Sequence, residues 1–80
     1  MPTKDADSDL LLKQFGERLK GLRLAHGLTQ EELAAQAGFS RSYYTQIETG
    51  RRNVALLNLY RLAKCLQISL SDLLDIREND

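Results

Sequence analysis

The 80-residue chain has one cysteine, one proline, one histidine and no tryptophan. Each scarcity removes a class of protein. A lone thiol, Cys65, excludes an internal disulfide and any cysteine-based metal cluster within one chain, so no metal and no cofactor are expected. No apolar run approaches the roughly 18 residues that a membrane span needs, and no membrane partner is expected. The N-terminus, MPTKDADSDL, is acidic where a secretory signal needs a basic and then an apolar stretch; a reducing cytoplasm is the expected location. Val and Ile are scarce, Leu is abundant, and helix breakers are few, which favours helices over strands. No nucleophile stands beside a base and no phosphate loop is present, so neither an enzyme nor a small-molecule ligand is expected.

A chain of this length forms one small domain that buries only about 60% of its unfolded surface, so burial against a partner would help it. Formal net charge is zero, but the distribution is uneven. Asp5, Asp7 and Asp9 outnumber Lys4 at one end, and Asp72, Asp75, Glu78 and Asp80 outnumber Arg77 at the other. Between them, from Phe39 to Lys64, the cations Arg41, Arg51, Arg52, Arg61 and Lys64 face Glu48 alone, an excess of four. A polyanion responds to local potential over about a Debye length and not to the chain total.

Periodicity and capping residues predict five helices. Ser8 or Asp9 can cap a first helix running to about His26, with Leu12, Phe15, Leu19 and Leu22 as its apolar stripe. Gly27 stands where a left-handed residue would stop it. Thr29 with Glu32 forms a capping box for a short second helix, ended by Gly38. Ser40 can cap a third, ended by Gly50. Asn53 is the expected cap of a fourth helix whose buried face would be Leu56, Leu59, Leu62, Ala63 and Leu66. Ser69 with Asp72 repeats the capping pattern ahead of Leu70, Leu73 and Leu74. The polar residues 1–7 are expected to form a flexible arm, residues 8–76 the domain, and residues 77–80 a tail.

Thr29–Asn53, two helices of about two turns with a glycine corner, suit a helix-turn-helix. Projected at about 100° per residue, the third helix turns Tyr44 and Ile47 inward with Glu48 at the margin. Arg41, Ser42, Thr45, Gln46 and Thr49 fall together on the other side. That outer face holds donors and amphoteric groups, without a carboxylate or a large aliphatic, and suits base edges and phosphates of double-stranded DNA. Arg41, in the first turn, can grip guanine O6 and N7 with its fork. Gln46 can pair with adenine or make adjustable polar contacts. Gln30, opening the second helix, can hold a phosphate with its side chain and amides.

The segment GLTQEELAAQAGFSRSYYTQIETG resembles the helix-turn-helix of the phage-repressor (Xre/Cro-like) regulators, through Gln30, Leu33, Ala34, Gly38, Ile47, Glu48 and Gly50. The likeness runs from about Phe15 to Leu74 and implies an all-α, compact five-helix, lambda-repressor-like fold. A narrower likeness, over SRSYYTQIETGRRNVALLNLYRLAKCLQISLSDLL, is to the controller proteins of restriction–modification operons, carried by Arg41-Ser42-Tyr43 and Arg52-Asn53. Three positions depart from the pattern: Tyr44 replaces a usual Val or Ile, Gln67 a common glycine and Ala55 a frequent serine.

The resemblance implies a homodimeric, autoregulatory transcription regulator on a pseudo-palindromic operator, which activates at low occupancy and represses at high occupancy. Base contacts would come from Arg41, Ser42, Thr45 and Gln46, and backbone or groove contacts from Gln30, Ser40, Tyr43, Thr49, Arg51, Arg52 and Asn53. Tyr43 reads either as a core-edge aromatic or as a DNA contact. Glu48 would pair with Arg23 of the first helix. Leu56, Leu57, Tyr60, Leu70, Leu74 and Ile76 offer more apolar surface than so small a core requires, and a share of them would form a two-fold seam. Glu31 is a candidate contact for RNA polymerase. His26 reads as structural or solvated, and Cys65 as a buried or interface thiol. The competing class is an antitoxin or other protein-interaction module that keeps the motif as a scaffold.

Overall fold

The computed structural model describes residues 6–76. The described residues form five α-helices and no strand: α1 (Ala6–Ala25), α2 (Gln30–Ala37), α3 (Arg41–Glu48), α4 (Leu56–Cys65) and α5 (Leu70–Leu73). Helix α1 is already formed at Ala6, so Ala6 and Asp7 are helical and do not belong to an arm. Ser8 and Asp9 consequently lie inside the helix and not at its cap. The rest of the expected arm, and residues 77–80 of the expected tail, lie outside the described residues.

Local chemistry explains where the helices begin. Thr29 Oγ1 accepts from the Glu32 amide at 3.0 Å while Glu32 Oε1 accepts from the Thr29 amide at 2.8 Å, the reciprocal capping box. Ser40 and Ser69 cap α3 and α5 in the same sense, accepting from the amides of Tyr43 and Asp72. Helix α4 departs from expectation. Its N-cap is Ala55, which has no side-chain acceptor, and Asn53 lies two residues upstream in the extended connector.

The ends share one device. After each of α1 to α4, paired backbone bonds close a Schellman turn, as in Phe39 to Ala34 O with Gly38 to Ala35 O, and Ile68 to Ala63 O with Gln67 to Lys64 O. The turn requires a positive φ. Gly27, Gly38 and Gly50 supply it after the first three helices, and Gln67 adopts φ 57° after the fourth.

Phe15 and Leu19 of α1 meet Leu33, Ala34 and Ala37 of α2, Tyr44 and Ile47 of α3, Leu62, Ala63 and Leu66 of α4, and Leu73 of α5 in a single core. Leu12 and Leu22, predicted for the same stripe as Phe15, are only half-buried. Leu56, predicted on the inner face of α4, is 63% exposed because the first turn of that helix projects beyond the core.

Helix α1 crosses the end of α3 at Gly16. A Cβ built there would lie 2.2 Å from the Glu48 carbonyl oxygen, so only glycine permits the approach. Arg18 ties α1 to α5 by donating to the Asp72 carbonyl at 2.7 Å.

Candidate nucleic-acid interface

Helix α3 has two unlike faces. Inward, Tyr44 and Ile47 are buried in the core together with Glu48. Outward, Arg41, Ser42 and Thr49 are exposed while Thr45 and Gln46 are half-buried. The two faces are joined through Glu48. Arg23 grips its carboxylate as a fork, Nε to Oε2 at 2.7 Å and Nη2 to Oε1 at 3.2 Å. Tyr44 Oη donates to Oε2 at 2.5 Å and Gln30 Nε2 to Oε1 at 2.9 Å. Arg23 Nη1 also donates to the Leu28 carbonyl, so the guanidinium spans the α1–α2 turn.

Burial pushes the Glu48 carboxyl up. The hydrogen bonds from Arg23, Tyr44 and Gln30, with the Arg23 charge, outweigh it and hold the group below the ordinary carboxylate value. The hydrogen bond to Glu48 likewise raises the Arg23 guanidinium. Burial, with Glu48 alongside, raises the Tyr44 phenol, which therefore stays a donor. Tyr44 thus does more than fill the place of an aliphatic residue: its ring fills the core and its hydroxyl meets the buried charge.

The cluster includes Gln30. Its side chain donates to Glu48, and its Oε1 lies 3.5 Å from Thr45 Oγ1, while the residue also lines the cleft beside the end of α3. It links the buried carboxylate to a residue of the outer face.

A second cluster flanks α3. The Tyr43 ring meets Phe39 edge-on at 5.0 Å, and its hydroxyl accepts from Asn58 Nδ2 of α4 at 3.1 Å. The Arg52 guanidinium sits over the same ring, 5.5 Å from its centroid, and Arg52 Nε donates to Gln46 Oε1 at 2.6 Å. Tyr43 is therefore a half-buried aromatic packed against the core. Arg51 and Asn53 of the connector are exposed, and Ser40 is engaged as a cap. The Thr49 hydroxyl donates back to the Thr45 and Gln46 carbonyls. Arg41 and Glu31 stand 3.8 Å apart with both side chains mostly exposed, a pair of little strength that leaves the guanidinium available.

Two further cations, from α1, border this face. Lys13 and Lys20 line a cleft beside the end of α3, together with Glu17, Gln30, Glu48 and Thr49. Their seven-residue spacing on one helix face was the available signal. Nothing local in the sequence says that this face borders the outer side of α3.

On α4 and just after α5, Leu56, Leu57, Tyr60 and Leu74 are exposed, Leu57 by 73%. Leu70 and Ile76, expected in the same surplus, are half-buried and packed against the core. An apolar cleft of about 280 Å³ opens nearby, lined by Leu11, Leu12, Phe15, Leu59, Leu74 and Ile76 with Asn53 and Val54. Cys65 is half-buried, and burial raises its thiol. The His26 ring closes on the Leu22 carbonyl through Nδ1 at 3.0 Å. Among the described residues no helix is long and apolar enough to cross a membrane.

A short two-helix corner that holds out a polar helix over a buried carboxylate defines a helix-turn-helix DNA-binding protein. The chain belongs to the helix-turn-helix family, whose pattern matches residues 19–73. It is similar to the control protein C.MunI of a Mycoplasma species, 48% identical over 61 residues, covering 75% of this chain and 82% of that one. Among solved structures it resembles the restriction–modification controller protein C.AhdI from Aeromonas hydrophila, with TM-score 0.76 and 48% identity over 78% of this chain and 94% of that one. It also resembles the controller protein C.Esp1396I, solved as a tetramer on its natural 35 base-pair operator, with TM-score 0.71 and 33% identity over 80% of this chain and 88% of that one.

Proposed function

We propose that this protein is a sequence-specific DNA-binding transcription regulator that works as a homodimer on a pseudo-palindromic operator and controls its own restriction–modification operon. The observation that carries the reading is the outer face of α3. Arg41 and Ser42 stand exposed at its start, Thr45 and Gln46 follow, and the buried Glu48 cluster fixes the helix beneath them. Arg41 and Gln46 reach base edges, Ser42 and Thr45 adjust the fit, and Arg51 with Lys13 and Lys20 neutralises phosphates along the flanks. Exposed apolar residues of α4 and α5 supply the two-fold seam. Similarity to controller proteins, one of them solved on its operator, supports both the DNA partner and the operon class. Glu31 stays exposed on α2 and is the surface we assign to RNA polymerase when the dimer activates. This activity belongs in the cytoplasm, where the DNA is.

Footprinting on the DNA upstream of its own gene tests the reading. Two protected half-sites are expected, about 34 Å apart or a multiple of that. Arg41→Ala is expected to lose about 1–3 kcal/mol of discrimination between operator and random duplex. An equal loss on both duplexes would remove Arg41 from base recognition, and no protection at all would sink the regulator reading. Neighbouring genes for a methyltransferase and an endonuclease are expected, and their absence would count against the operon assignment.

A further inference from the structure

Arg52 is held at two points, over the Tyr43 ring at 5.5 Å and on Gln46 Oε1 at 2.6 Å. The Tyr43 ring is itself held, edge-on by Phe39 and at its hydroxyl by Asn58 of α4. An arginine Nε–H only donates, so the Gln46 atom facing it must be the carbonyl oxygen. The amide nitrogen then points away from Arg52, with two hydrogens to give and no partner within the described protein.

Resting on the DNA-binding reading above, we propose that Arg52 sets the base preference of Gln46 by fixing its amide with the nitrogen toward the major groove, so that each half-site carries guanine opposite Gln46. An unconstrained glutamine suits adenine, accepting from N6 with its oxygen while donating to N7. Here the oxygen already accepts from Arg52, and an adenine N6 amino group brought to its second lone pair would face a guanidinium. Guanine offers two acceptors, O6 and N7, to the same donor-rich spot. Exclusion of water on binding strengthens this preference, because both the attraction and the mismatch act in a lower dielectric. Arg52 is therefore a positioning residue for base choice, and its Nη groups remain able to reach a phosphate.

The test is selection from a pool of randomised duplexes by the full chain, followed by affinity measurements at several salt concentrations. It compares the wild type with Gln46→Ala and Arg52→Lys, the second of which keeps the positive charge but not the Nε geometry. Gln46→Ala is expected to lose preference at one position per half-site, where the wild type favours guanine over adenine by about tenfold. Arg52→Lys should keep the salt slope, since one cation remains, while that guanine preference falls below about threefold and other positions hold.

Several outcomes overturn the inference alone: a wild-type preference for adenine at that position, an unchanged guanine preference in Arg52→Lys, or a Gln46→Ala variant that loses no preference. Equal weakening of every position in Arg52→Lys would make Arg52 a phosphate contact only and also overturn it. If the wild type enriches no sequence, the regulator reading itself fails.

Discussion

At Glu48, desolvation of a carboxylate is offset by hydrogen bonds from three residues on three helices, Arg23, Gln30 and Tyr44. Removing one member of such a set leaves the others buried without a partner, which costs about 3–5 kcal/mol for a buried ion pair. Glu48→Gln is expected to lose stability in that range at pH 7, measured by urea denaturation. The pH dependence follows from the direction of the shift. A carboxyl held below its ordinary value of 4.5 stabilises the fold above that pH and loses this contribution as pH falls through the lowered value. The gap between wild type and Glu48→Gln should therefore narrow below about pH 4.5. A gap that stays constant down to pH 3 would mean that no lowered carboxyl is at work. The family likeness of the sequence implied the Arg23–Glu48 pair. Tyr44 and Gln30 as further donors were not legible, because joining a hydroxyl and an amide to one carboxylate depends on how three helices cross.

Helix ends were the most legible elements, because a cap is decided by residues within three or four positions of each other. Thr29, Ser40 and Ser69 cap as their spacing predicts. Two helices depart: α1 is already formed at Ala6, ahead of the expected Ser8 or Asp9 cap, and α4 starts on Ala55 without a side-chain acceptor and is followed by Gln67 with φ 57°. Ala55→Ser should stabilise by about 0.5–2 kcal/mol through a new cap bond. Gln67→Gly should add about 1 kcal/mol, as relief from the left-handed conformation exceeds the entropy that glycine loses on folding. Thermal unfolding of each variant checks this, and a lowered midpoint in either would refute its account. Gly16→Ala should act oppositely. A methyl group aimed at the Glu48 carbonyl must push α1 off α3, at about 1–3 kcal/mol. Retained stability in Gly16→Ala would show that the crossing has slack. The signal for Gly16 was present as a mid-helix glycine, which costs about 1 kcal/mol against alanine. What it approaches was not.

The described molecule measures 36 × 25 × 19 Å and carries one α3, so under the proposed function one copy serves one half-site. Reading two half-sites about 34 Å apart needs a second copy. Leu57, on α4, has the highest fractional exposure, 73%, of the large apolar side chains among the described residues. Burying such a side chain contributes about 1.5–3 kcal/mol. Leu57→Lys is therefore expected to weaken self-association at least about tenfold, measured by sedimentation. Affinity for an isolated half-site should hold while affinity for the paired site falls. A wild type that stays monomeric at micromolar concentration, or a variant that loses both affinities equally, would remove this face from the dimer. Composition had pointed to surplus apolar surface but could not sort it. Leu70 and Ile76 turn to the core and Leu56 turns away from it, because the start of α4 and the end of α5 are placed by packing and not by their own periodicity.

The sequence by itself determined the five helices, the turns between them and the polar stripe on the third, since all of these follow from interactions among near neighbours in the chain. Tertiary structure alone decided which polar groups meet. It joined Gln30 to the Glu48 cluster, made Tyr43 a platform for Arg52, and brought Lys13 and Lys20 beside Thr49. Gln30 meets Glu48 across α2 and α3, Lys13 and Lys20 meet the end of α3 from α1 where Gly16 permits the close approach, and Arg52 reaches Tyr43 because the connector folds back on α3.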